Sequence, residues 1–78
     1  MSFKAKYIIV DTGTVYLPVI FAEVASHADM ARSIAPRGKV LGAGFVYIDD
    51  NHKYFCYGES VSLKVVSRGE EDSKYLNK

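Results

Sequence analysis

Cysteine occurs once in this 78-residue chain, as Cys56, and proline only twice. A single thiol cannot form an intramolecular disulfide, which excludes the disulfide-dense secreted scaffolds. No apolar stretch is long: the richest, residues 15–22, contains Pro18 and falls far short of the ~18 residues a spanning helix requires. The apolar run nearest the start, Tyr7 to Val10, is too short for the core of a signal peptide. These absences predict a cytoplasmic protein. An excess of one charge is missing too, with ten Lys and Arg against nine Asp and Glu and a formal net charge of +1. That balance excludes a nucleic-acid binder working by bulk basic charge and an acidic mimic of DNA. The length leaves room for one domain. A domain this small buries only about 60% of its unfolded surface, so its stability is expected to be modest or supplemented by a partner.

The patterns of common catalytic and cofactor sites are lacking as well. Gly58-Glu59-Ser60-Val61-Ser62 has the first glycine and central serine of a nucleophile elbow, but that motif needs a second glycine where Ser62 stands. The flanking residues alternate, which predicts a strand with Val61, Leu63 and Val65 inward and Ser60, Ser62 and Lys64 toward solvent. Cys56 would need an imidazole in hydrogen-bond reach to act as a nucleophile. His52 is roughly 13 Å away along an extended strand, and free cysteine usually packs as a small apolar group. His27, His52, Cys56, Asp49 and Asp50 show no metal-ligand spacing. Gly42-Ala43-Gly44 lacks the third glycine and the helix of a dinucleotide fingerprint. The chain is therefore expected to be non-enzymatic, with no catalytic residue, cofactor or metal.

What the chain does contain is β-rich sequence. Residues 4–10 read as a strand, Asp11-Thr12-Gly13-Thr14 as a turn, and residues 15–21 as a second strand that should lie at an edge or break at Pro18, which cannot donate to a ladder. Ser26 followed three residues later by Asp29 predicts an N-cap and a helix from Ser26 to Ala35, with Met30, Ala31 and Ile34 on its apolar side. Lys39 to Ile48 is a third strand. Gly42 and Gly44 share one of its faces and leave a depression over which the helix is expected to lie. After the Asp49–His52 turn, a fourth run extends from Lys53 to Val66. Straight, it would reach roughly 45 Å, too long for a domain of about 11 to 12 Å radius of gyration, so a bend or break at Gly58 is predicted. Ser67-Arg68-Gly69-Glu70 has the form of a capping box. The expectation is an α+β domain over residues 1–66, β-β-α-β-β on an antiparallel sheet of about four strands. A polar C-terminal tail, residues 67–78, would be a short helix or partly disordered.

Candidate interaction residues lie in the second half. Phe45, Tyr47, Tyr54, Phe55 and Tyr57 fall on two consecutive strands, with His52 and Lys53 at the turn between them. Tyrosine is enriched in interface hot spots, and an open sheet edge invites pairing with another chain. The leading expectation is a protein-interaction module that engages a protein partner, or a second copy through a sheet edge, using Tyr47, His52, Lys53, Tyr54, Tyr57, Ser60 and Ser62. The alternative is a small nucleic-acid-binding domain stacking bases on the aromatic hairpin.

Gly44-Phe45-Val46, Gly58-Glu59-Ser60-Val61-Ser62-Leu63, and Ser67-Arg68 with Glu71-Asp72 and Leu76 together resemble short accessory proteins encoded by bacteriophages and prophages. The resemblance covers about Gly44 to Leu76, and where those proteins often carry proline after Ser-Arg this chain has Gly69. It implies a small protein that acts in the host cytoplasm by binding a host or phage protein, as inhibitors of host defence do. It assigns no site residue.

Overall fold

The computed structural model describes residues 3–77. Strands β1 (Phe3–Asp11), β2 (Tyr16–Phe21), β3 (Lys39–Ile48) and β4 (Tyr54–Tyr57) form one antiparallel sheet in the order β2-β1-β3-β4. Helix α1 (His27–Ile34) connects β2 to β3. After β4, a two-stranded ribbon of β5 (Glu59–Ser60) and β6 (Val65–Val66) packs against β3, and helix α2 (Glu70–Leu76) follows. The α+β class and the β-β-α-β-β order match the expectation. No helix among the described residues is long and apolar enough to cross a membrane.

The middle of β1 is covered on both faces, which explains its apolar run Tyr7–Val10. Ala5, Tyr7 and Ile9 point to one face, where they pack with Val46, Cys56 and the Tyr75 and Leu76 side chains of α2. Ile8 and Val10 point to the other, where Phe21, Ala31 and Ala43 join them. Tyr7, Ile8, Ile9 and Val10 are wholly buried. At roughly 1.5–3 kcal/mol for each fully buried large apolar side chain, β1 is the main hydrophobic investment of the chain. Between Ile9 and Val10 the β1–β3 register slips by one residue. That bulge turns the adjacent Leu41 and Gly42 both toward α2, while Val40 faces α1.

Several local expectations are corrected. Ser26 caps α1 as read, its Oγ accepting from the Asp29 amide at 3.0 Å. The buried face of that helix, however, is His27 and Ala31, while Ile34 is exposed. The glycines of β3 do not receive α1. A Cβ on Gly42 would collide with the Asp72 carboxylate of α2, and one on Gly44 would lie 2.5 Å from the Tyr57 carbonyl oxygen. The long fourth run does break at Gly58, whose φ of 79° suits glycine. The strand ends soon afterwards, because residues 61–64 form a turn. The expected alternation therefore fails: Ser60 is buried, Val61 is 81% exposed, and only Leu63 and Val65 pack inward.

The tail residues 70–76 are helical, but Ser67 does not cap them. Gly69 occupies the N-cap position without a side-chain bond, and the Ser67 Oγ accepts from the Gly69 amide instead. Asp72 reaches back to accept from the Arg68 amide at 3.0 Å. At its far end α2 closes the β4 edge. Asn77 Oδ1 accepts from the Tyr54 amide and Asn77 Nδ2 donates to the Tyr54 carbonyl, both at 2.9 Å, while Ser73 Oγ accepts from the Cys56 amide at 2.9 Å. A strand edge satisfied by side chains no longer offers those groups to another chain.

Candidate binding face and groove

The β1–β3–β4 register decides which aromatic residues work together. Lys4 pairs with Tyr47, Lys6 with Phe45, Phe45 with Tyr57, and Tyr47 with Phe55. These six side chains share the α1 face of the sheet, beyond the area that the helix covers. Tyr47, Phe55 and Tyr57 are 40%, 51% and 42% exposed. Phe45 and Tyr57 stack with ring centroids 6.0 Å apart, and Lys4 Nζ lies 4.7 Å from the Phe45 centroid. Glu23 sits 3.5 Å from Lys4 Nζ, so both signs of charge border the rings.

Where this face meets the start of α1 and the β5 segment, a groove of about 700 Å³ opens, lined by Lys4, Lys6, His27, Phe45, Tyr57 and Ser62 among others. His27 is held on one side by Phe21 and on the other by Phe45, both edge-on. Its Nε2 is 2.8 Å from the Gly44 carbonyl oxygen. Because that oxygen can only accept, Nε2 carries the proton. Burial holds the imidazole below its ordinary pKa; the Gly44 bond opposes this and the nearby Lys6 charge reinforces it. The serines hold the ribbon in place. Ser60 Oγ accepts from the Leu63 amide at 3.2 Å and lies 3.4 Å from Ser62 Oγ, which accepts from the Ala28 amide at 3.3 Å. His27 makes its hydrogen bond to Gly44, not to either serine.

The expected interaction residues are thereby divided. Tyr47 and Tyr57 lie on the open face and Ser62 on the groove wall. Tyr54 is on the opposite face, packed beneath α2. His52 and Lys53 are exposed in the β3–β4 turn, His52 with a φ of 63°. Ser60, expected toward solvent, is inside. Cys56 packs in the α2-side core, away from His27, and burial pushes its thiol up. Among the described residues no three His, Cys, Asp or Glu gather as metal ligands.

Sequence reasoning missed a buried polar cluster on the α2 side. The Tyr7 hydroxyl donates to Asp72 Oδ2 at 2.5 Å, Arg68 Nε donates to Asp72 Oδ1 at 2.7 Å, and Ser67 Oγ lies 2.6 Å from the Tyr7 hydroxyl. Asp72 is fully buried, and burial followed by the Asp72 bond pushes the Tyr7 phenol far up. Read from sequence, Asp72 was one acidic residue in the first turn of a helix. The available signal was Gly42, whose bare face leaves space for a carboxylate. Lys6 and His27, which shape the groove, had no distinguishing spacing.

Comparison of the chain with protein families, with curated proteins and with solved structures gave no match.

Proposed function

We propose that this protein is a non-enzymatic interaction module that binds a protein partner through Tyr47, Phe55 and Tyr57. One observation carries the reading: three half-exposed ring side chains stand together on one face of a sheet whose other face is covered by α2. Rings in such a cluster are characteristic interface anchors. The mixed border of Lys4, Glu23 and Glu59 suits a protein surface, and no arginine lies on the three strands that build the face. By the resemblance of residues 44–76, the partner would be a host or phage protein met in the host cytoplasm. The experiment is affinity capture with the wild-type chain, a Tyr47→Ser/Phe55→Ser variant and a Tyr16→Ser control, each verified as folded by circular dichroism. A partner retained by wild type and control but lost by the double variant is the expected result. Equal retention by all three would remove this face from the argument.

A second reading has its own support, since Lys4 and Lys6 flank the rings as cations do in single-strand binders. Nucleic-acid binding would weaken steeply with salt. The absence of a gel shift with single-stranded DNA and RNA at low salt would eliminate it.

A further inference from the structure

The groove contains a lysine that forms no ion pair among the described residues. Lys4 faces Glu23, whereas Lys6, half-buried, donates to the Ala25 carbonyl at 2.8 Å and has no carboxylate within ion-pair distance among the described residues. His27 is 4% exposed, and its one N–H is taken by Gly44, so it adds neither a second positive charge nor a donor. The stacked Phe45 and Tyr57 rings form an apolar wall beside that ammonium. At about 700 Å³ the groove falls within the roughly 300–1,000 Å³ range of small-molecule sites.

We propose that this groove binds a small aromatic carboxylate, with the anion on Lys6 Nζ and the ring against the Phe45–Tyr57 wall. A half-buried lysine left without an acid partner makes a stronger charge-assisted bond than a fully exposed one does. One unpaired cation matches one negative charge. Glu59 on the groove lining opposes the two charges of a phosphate monoester more than the single charge of a carboxylate. The inference shares Tyr57 with the protein-partner reading but is separable from it, because Tyr47 and Phe55 do not line the groove.

The test is a titration of the ¹⁵N-labelled chain with 3-phenylpropionate, followed by amide chemical shifts. Saturable shifts are expected at Lys6, His27, Phe45 and Tyr57, with a dissociation constant on the order of 1 mM for so small a probe. The uncharged 3-phenylpropanamide is expected to bind roughly tenfold or more weakly, as is 3-phenylpropionate to a Lys6→Met variant, for loss of a charged hydrogen bond. The amide arm uses the unaltered protein, so the conclusion survives if Lys6→Met folds poorly. The Tyr47→Ser/Phe55→Ser variant is expected to keep the shifts, so that failure of the partner reading and failure of the groove reading are told apart. No saturable shift, equal affinity for the amide, or tighter binding of phenyl phosphate would each overturn the proposal.

Discussion

Single residues carry charge and volume constraints that no neighbour can absorb. Gly42 is one, because its missing side chain is the space occupied by the buried Asp72 carboxylate. Gly42→Ala is expected to lower stability by about 2 kcal/mol or more, as an overpacked core that also disturbs a buried hydrogen-bond cluster does. A denaturant midpoint shifted down at unchanged slope would register it. Unchanged stability would mean that Asp72 can move without loss. His27 gives a pH dependence. Its folded pKa is depressed, so between that value and the ordinary value of about 6.5 the unfolded chain binds more protons. Stability from this residue is complete above about pH 6.5 and is lost as pH falls through the folded pKa. The expected observation is a denaturation midpoint that drops from pH 7.5 to pH 5.5, and drops less in His27→Gln. An identical drop in the variant would assign the effect to other groups.

Elements meet their boundary conditions in different ways. Helix α1 starts on an ordinary serine cap, which was legible because capping is a local exchange between residues three apart. Helix α2 starts on a glycine and is held by the sheet beneath it, through Asp72 at its first turn and Tyr75 and Leu76 at its last. Its start was misread for that reason, since nothing local distinguishes Ser67 as a cap from Ser67 as a partner of Tyr7. Asn77 then serves β4 by replacing the missing neighbour strand. In Asn77→Ala the Tyr54 amide is expected to lose most of its hydrogen-exchange protection while the Val46 amide, inside the sheet, keeps its own. Protection at Tyr54 equal to wild type would show that another group covers that edge.

At the scale of the whole molecule, two cores share β1. Neither is large, and the principal extents are 35 × 26 × 17 Å. Because the same strand supplies Tyr7 and Ile9 to one core and Ile8 and Val10 to the other, loss of either exposes the second. Unfolding is therefore expected to be a single transition. The methyl signals of Met30, on the α1 side, and Leu76, on the α2 side, should disappear at the same denaturant concentration. Separate midpoints would mean that α2 detaches from a sheet that survives without it.

The sequence by itself determined the β-β-α-β-β order of elements along the chain, the first helix and its cap, and the interruption at Gly58, and it limited β2 to a sheet edge or a break at Pro18. Each follows from short-range period, turn chemistry or a length limit. It also identified the aromatic hairpin, because residues two apart on a strand must share a face. Only the tertiary structure decided which rings face solvent, since that depends on where two helices land on a sheet whose strands are apolar on both sides. Tyr54 went under α2 while Tyr47, Phe55 and Tyr57 were left open. The same packing placed Ser60 inside, brought Asp72 to Tyr7 across 65 positions, and set Lys6, without an acid partner among the described residues, beside His27. Long-range pairing of polar groups leaves almost no local trace in a chain, and the groove is built from such pairs.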